Sequence, residues 1–175
     1  GLLDASSTPG EGSVFRLLLP ALEERAAEPS APPERSPADH RHVHVLILDD
    51  EVEVRRVAER LLESGGHRVA GAADGDEALE RVRAAREAGD PIDLAILDLT
   101  VPGCSDGIGT LARLQELAPG LPAVVTSGYG NHAAMDAPDS YGFRAALAKP
   151  FRREELLAAV ERALWEPDGR LRPTG

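Results

Sequence analysis

The chain has 175 residues, of which 42 % are hydrophobic and 28 % charged, and its formal net charge is −11 at pH 7. This composition supports a packed core, while the strong acidity argues against binding to nucleic acid. The single cysteine excludes an internal disulfide framework, and no apolar run approaches the ~20 residues of a membrane-spanning helix. We therefore expect a globular domain with extensions, and no contact of this segment with nucleic acid or a membrane.

The first 41 residues are predicted to lie outside the main domain. Residues 1–19 place two short apolar stretches on either side of a Pro-Gly-Glu-Gly turn, a pattern typical of a β-hairpin. Residues 20–41 contain five prolines among mostly charged and small residues, which is typical of an extended linker. The main domain is predicted to cover residues 42–166, and a disordered tail to follow over residues 167–175.

Strand and helix patterns alternate through the main domain. Five apolar runs predict strands over residues 42–48, 68–73, 91–97, 121–126 and 143–148. Apolar residues at helical spacing predict helices over residues 51–64, 74–89, 108–117, 131–140 and 151–165. Asp74, with Glu77 three residues later, matches a capping box at the start of the second helix. Because the strands lack polar alternation, they are predicted to be buried on both faces, in an α/β fold with a five-stranded parallel sheet and helices on both sides.

Polar side chains stand where four of these strands end. They are Asp49 and Asp50 after the first strand, Asp98 after the third, Ser127 after the fourth and Lys149 after the fifth. The carboxyl ends of parallel strands share one edge of a sheet, and ligands bind at that edge in folds of this class. Two charges ~4 Å apart cost about 4 kcal/mol at an effective dielectric constant of about 20, so three clustered carboxylates require a positive partner.

A divalent cation would satisfy these carboxylates, and a ligand set made only of oxygen atoms is typical of Mg²⁺. Mg²⁺ held in this way usually meets a phosphate, for which Lys149 and Ser127 are the natural hydrogen-bond donors. Lys149 is the only lysine among 19 basic residues, and its compact ammonium suits a single phosphoryl oxygen better than a planar guanidinium does. The residues therefore predict a site for magnesium and phosphate at this edge of the sheet.

Four segments then carry a resemblance to a known family: ILDDE at residues 47–51, ILDLTVPG at 96–103, VVTSGYG at 124–130 and AKPF at 148–151. In this order and spacing they resemble the receiver domain of response regulators in two-component signalling, and the resemblance covers the whole main domain. It implies a flavodoxin-like (βα)5 fold and a cytoplasmic location.

The resemblance also implies a role for each acidic residue of the site. Asp98 matches the aspartate that accepts the phosphoryl group. Asp49 and Asp50 match the acidic pair that holds Mg²⁺, with Asp98 and the backbone carbonyl of Thr100 as further ligands. The implied metal site is therefore formed by four residues.

Two further residues match the groups that bind the phosphoryl oxygens. Ser127 matches the switch hydroxyl; Thr126 also carries a hydroxyl, but the small Gly128 that follows favours Ser127. Lys149 matches the phosphate-binding lysine, and the peptide bond between it and Pro150 is expected to be cis, as in the family.

The implied function is to take a phosphoryl group from the phosphohistidine of a histidine kinase or a phosphotransfer domain, as one step of a phosphorelay. The domain would hydrolyse its own acyl phosphate slowly, which is not turnover catalysis in the usual sense. One departure is Ala146, which stands where the family often has an aromatic residue that responds to phosphorylation. The alternative is a phosphohydrolase of the haloacid-dehalogenase type, although that family has an aspartate where Thr100 stands.

The N-terminal hairpin carries a second resemblance. SSTPGEGSVFRLLLP at residues 6–20 resembles the last two strands of a histidine-kinase ATP-binding domain. Joined by the linker to a receiver domain, it implies the C-terminal end of a hybrid sensor kinase. The catalytic core of that kinase would lie upstream of residue 1, so we expect no kinase activity from these residues alone.

Overall fold

The computed structural model describes residues 2–8, 10, 12–18, 42–101, 107–128 and 133–164. The chain divides into two compact units, residues 1–40 and residues 41–175. The predicted linker and the predicted tail both lie outside the described residues.

The first unit contains an antiparallel hairpin. Strand β1, Leu2–Thr8, pairs with strand β2, Gly12–Leu18, in a register that runs from Leu2 opposite Leu18 to Thr8 opposite Gly12. Gly10 in the turn adopts a φ of 84°, a left-handed conformation that glycine reaches without steric cost. Two strands cannot enclose a core, and four large apolar side chains of β2 are 54–72 % exposed: Val14, Phe15, Leu17 and Leu18.

Among its described residues, the second unit has five strands, five α-helices and one 3-10 helix, and all neighbouring strands are parallel. The strands are β3 His44–Leu48, β4 Arg68–Ala72, β5 Leu94–Asp98, β6 Ala123–Ser127 and β7 Ala145–Ala148. The helices are α1 Val52–Ser64, α2 Gly75–Glu87, α3 Gly107–Leu117, α4 Ala133–Asp136 and α5 Arg153–Leu164. The order of the strands in the sheet is β4-β3-β5-β6-β7. The chain adds strands on one side of β3 first and on the other side afterwards, so the strand order reverses between β3 and β5. This topology confirms the predicted fold class.

Each face of this sheet is covered by its own hydrophobic core. On one face, Leu46 and Leu48 of β3 share a cluster with buried residues of α2 and α3. On the other face, Val45 and Ile47 share a cluster with buried residues of α1 and α5. Successive side chains of a strand point to opposite faces, so an all-apolar strand supplies both cores. Complete burial of one such apolar side chain contributes about 1.5–3 kcal/mol to the free energy of folding.

Helix α2 begins with a modified form of the predicted capping box. The Asp74 side chain accepts a hydrogen bond from the Glu77 N–H at 2.8 Å, as predicted. The Glu77 carboxylate accepts from the N–H of Ala73 at 2.8 Å, one residue before the position that a standard capping box uses. This hydrogen bond is the main reason that the pKa of Glu77 lies below its ordinary value.

The helix predicted over residues 131–140 is interrupted. Within its described part, α4 spans four residues and is followed by a separate 3-10 turn, Pro138–Tyr141. Ala137 lies between them with φ −135° and ψ 65°, outside the helical region. A residue before proline is disfavoured in helical conformation, and proline has no N–H to continue the helix, so Pro138 explains the break.

Candidate functional site

The polar residues predicted at the strand ends meet at one edge of the sheet. Asp49 directly follows β3, Asp98 is the last residue of β5, Ser127 is the last of β6 and Lys149 directly follows β7. Asp49, Asp98 and Ser127 are 3 %, 0 % and 2 % exposed. Such low exposure is rare for the carboxylates of Asp49 and Asp98 unless they are paired. The parallel topology alone brings residues together that are up to a hundred positions apart in the chain.

Lys149 is the centre of this cluster. Its Nζ lies 2.6 Å from Oδ2 of Asp49 and 2.8 Å from Oδ2 of Asp98, so one ammonium bridges the ends of β3 and β5. The Lys149 backbone N–H also donates to the Ser127 carbonyl at 2.9 Å, which ties the chain after β7 to the end of β6. The peptide bond from Lys149 to Pro150 is cis, as predicted.

The Asp98 carboxylate receives further hydrogen bonds from Thr100. The Thr100 N–H donates to Oδ1 at 3.1 Å, and its hydroxyl donates to Oδ2 at 2.8 Å, the oxygen that Lys149 also contacts. The sequence indicated only the backbone carbonyl of Thr100, as a metal ligand, and that role stays a prediction. The hydroxyl contact was not anticipated, whereas an aspartate that accepts from the backbone N–H two residues later follows a known local pattern.

Three carboxylates of the site fit a divalent cation. Asp49, Asp50 and Asp98 each offer an oxygen, and these oxygens lie within 4.8 Å of one another. Asp50 is exposed, and its side chain has no hydrogen bond or ion pair within the described part of the chain. With one ammonium against three carboxylates, two negative charges are left over, which a divalent cation matches. A ligand set made only of oxygen atoms favours Mg²⁺ among biological divalent ions.

The pKa values of Asp49 and Lys149 are both shifted by burial and by their mutual contact. Burial raises the pKa of Asp49, although the hydrogen bond and charge of Lys149 act in the opposite direction. Burial alone would lower the pKa of Lys149, but its hydrogen bonds to Asp49 and Asp98 and the charges of these carboxylates together outweigh that effect, and the pKa is raised. The ammonium therefore stays charged at neutral pH.

Gly107, the first residue of α3, packs directly under the site. A Cβ placed on it would lie 2.6 Å from the carbonyl oxygen of Asp98 and 3.3 Å from the Cα of Leu99. Both neighbours are backbone atoms, so they cannot yield as a flexible side chain would. Glycine here allows α3 to approach the end of β5, a requirement that no local sequence pattern revealed.

Replacement of Lys149 by Met should expose the charge imbalance of the site. At neutral pH in the presence of a chelator, we expect the free energy of unfolding to fall by about 3 kcal/mol, because two buried carboxylates lose their counter-charge. Loss of Lys149 removes the hydrogen bond and the charge by which that residue lowers the pKa of Asp49, so that pKa rises further. The deficit should shrink as pH falls through the raised pKa, because the protonated carboxyl carries no buried charge.

Denaturant unfolding of the two proteins at several pH values measures this effect. Arg152→Met is the matched control, because Arg152 is exposed and lies three residues from Lys149. A Lys149→Met deficit that stays constant with pH would contradict the account.

The chain is similar to known proteins over most of its length. The family model of the response regulator receiver domain matches residues 45–161. The sensor kinase CckA of Brucella abortus is 31 % identical over 178 residues, which cover 96 % of this chain and 18 % of that protein. Sporulation initiation phosphotransferase F of Bacillus subtilis is 29 % identical over 120 residues, covering 69 % of this chain and 92 % of that protein.

Solved structures show the same architecture. A chain in the crystal structure of the CheX–CheY–BeF3–Mg²⁺ complex from Borrelia burgdorferi matches with a TM-score of 0.60 and 28 % identity, covering 67 % of this chain and 86 % of that one. The present chain spans less than a fifth of the length of the sensor kinase that it resembles. Among the described residues, no helix is long and apolar enough to cross a membrane. The matched family model, the sheet order and the similar structures agree, and the chain belongs to the receiver domain family of two-component response regulators.

Proposed function

We propose that this receiver domain takes a phosphoryl group from a phosphohistidine onto Asp98, with Mg²⁺ held by Asp49, Asp50 and Asp98. The observation that carries the proposal is the Lys149 ammonium, which lies within 2.8 Å of both Asp49 and Asp98. The only lysine of the chain is thus placed against the buried carboxylate at the end of the central strand β5.

The proposed reaction is a phosphoryl transfer between two side chains. A carboxylate oxygen of Asp98 attacks the phosphorus in line; the new O–P bond forms as the P–N bond breaks, and the donor, protonated on its other ring nitrogen, leaves as neutral imidazole. When bound, Mg²⁺ supplies positive charge that offsets the charge on the phosphoryl oxygens. Later attack by water on the phosphorus releases inorganic phosphate and restores the Asp98 carboxylate.

Lys149 is suited to stabilise the transferred group. In the free state its ammonium is shared between the carboxylates of Asp49 and Asp98. Phosphorylation of Asp98 removes the negative charge of that carboxylate and places phosphoryl oxygens nearby, so the ammonium gains a stronger acceptor for a charge-assisted hydrogen bond. Ser127, buried at the end of β6, is the proposed hydroxyl donor to the same group.

The relatives support this proposal. The Bacillus relative is called a phosphotransferase, and the Borrelia complex contains BeF3 and Mg²⁺. The haloacid-dehalogenase alternative needs an acid–base group two residues after the nucleophile. In this chain that position holds Thr100, whose hydroxyl donates to Asp98 and does not titrate near neutral pH. No observation favours that alternative.

We also propose that the chain comes from a hybrid sensor kinase in the cytoplasm. The similarity to CckA extends over 96 % of the chain and therefore into the hairpin, not only the receiver domain. The exposed apolar side chains of β2 are what a hairpin needs if it completes a larger sheet in a kinase domain. The phosphoryl donor would then be a phosphohistidine of the same kinase or of a separate phosphotransfer domain.

The central test is phosphorylation by a small donor. Incubation with acetyl phosphate should produce a base-labile phosphoryl adduct on Asp98 in the presence of Mg²⁺, and little of it in a chelator. Asp98→Asn should remove the adduct, while Asp139→Asn, which changes an exposed carboxylate in the 3-10 turn, should retain it. Intact-protein mass spectrometry measures both. Undiminished labelling of Asp98→Asn would refute the assignment.

A second test concerns the response to phosphorylation. Ala146 of β7 is partly buried against the core and has no ring that could change rotamer. With Mg²⁺ and beryllofluoride, we expect the largest amide shift changes outside the metal site at Ser127, at Gly128 and in α4, and little change in β7. The physical cause is movement of the Ser127 hydroxyl towards the bound group.

Amide chemical-shift mapping checks this expectation, with Asp98→Asn plus the same reagents as control. Changes confined to Asp49, Asp50 and Asp98 would instead indicate that the domain accepts phosphate without a conformational response.

A further inference from the structure

We propose that Arg55 is a positioning residue for the cation site, acting through the peptide group between Asp49 and Asp50. This inference rests on the proposed Mg²⁺ site, but it assigns a role to a residue that contacts neither the cation nor the phosphoryl group. Its Nη1 donates to the backbone carbonyl oxygen of Asp49.

Asp49 is held at every polar group. Its N–H donates to the Ala72 carbonyl of β4 at 3.1 Å. Its Oδ1 accepts from the Glu51 N–H at 3.0 Å, and its Oδ2 is bound by Lys149. The remaining group is the carbonyl, and Arg55 is the side chain that holds it.

The carbonyl of Asp49 matters because it belongs to the same rigid peptide plane as the N–H of Asp50. The Asp50 side chain is exposed and has no partner of its own among the described residues. The backbone therefore fixes the direction of its Cα–Cβ bond, and with it the region that the carboxylate can reach. A hydrogen bond that fixes the peptide plane keeps Asp50 within reach of a cation shared with Asp49 and Asp98.

The residues around Arg55 hold its side chain in place. Its side chain is only 16 % exposed, although it lies near the start of α1. Glu59, one turn later, faces it with Oε1 4.0 Å from Nε. The edge strand β4 makes room for Glu59 at Gly71, where any Cβ would overlap Oε1 and would lie 3.3 Å from the Arg55 Cδ. Gly71 has no positive φ, so its lack of a side chain serves this packing.

A positioning role and a purely electrostatic role predict opposite effects. Removing a positive charge beside an acidic site would strengthen the attraction for Mg²⁺. Removing the hydrogen bond to the Asp49 carbonyl would weaken binding, because the Asp50 carboxylate would sample more directions. The sign of the change in affinity therefore separates the two.

The experiment measures Mg²⁺ binding to the full chain by calorimetry, with no phosphoryl donor. Arg55→Met should raise the dissociation constant about tenfold. The matched control is Arg56→Met, the next residue of α1, which is 63 % exposed and faces Glu53 at 3.8 Å; it should bind Mg²⁺ as the wild type does. At saturating Mg²⁺, labelling of Arg55→Met by acetyl phosphate should return towards the wild-type rate, which general damage to the fold would not allow.

Unchanged or tighter Mg²⁺ binding by Arg55→Met would overturn the inference while leaving the proposed function intact. Failure of the wild type to bind Mg²⁺ would overturn both. If Arg55→Met does not fold, Gly71→Ala decides by the same criterion: it alters no charge, displaces only the flexible end of Glu59 and the Arg55 stem, and should weaken binding about threefold.

Discussion

The Lys149 ammonium between two buried carboxylates is the interaction on which the site depends. Asp49 and Asp98 lie within 2.8 Å of it, and a buried charge without a counter-charge costs a large amount of free energy. One ammonium does not balance three carboxylates. The folded protein thus carries an excess of negative charge at the edge of its sheet, and this excess is what the proposed cation would neutralise.

The fold supplies this arrangement through its topology. The sheet order places β3 and β5 side by side, so the carboxylates that follow them are neighbours, and β6 and β7 bring Ser127 and Lys149 to the same edge. Two contacts to backbone carbonyl groups then fix the position of the site residues. Helix α3 packs against the Asp98 carbonyl at Gly107, and the Arg55 side chain of α1 donates to the Asp49 carbonyl. These contacts join the helices on opposite faces of the sheet to the same acidic site.

The fold was largely predictable from the sequence, because apolar strands buried on both faces leave few alternatives to a parallel sheet. The polar residues at the strand ends were identified for the same reason, and the structure brings them together; their individual roles stay predictions. The interruption of the helix before Pro138 could have been predicted from the proline, but the helical spacing of the apolar residues favoured one continuous helix. Contacts between distant segments were not readable: neither Arg55 nor Gly107 is distinctive in the sequence, since each depends on a backbone atom that only the folded chain brings near.

The central claim is that the unbalanced charge of the three carboxylates forms a site for a divalent cation. Asp50 tests it most directly, because its side chain is exposed and supports no other contact among the described residues. Asp50→Asn should raise the dissociation constant for Mg²⁺ by at least about tenfold, and it should not lower the melting temperature in a chelator, because it removes one of three mutually repelling charges. Equal Mg²⁺ affinity in the two proteins would contradict it.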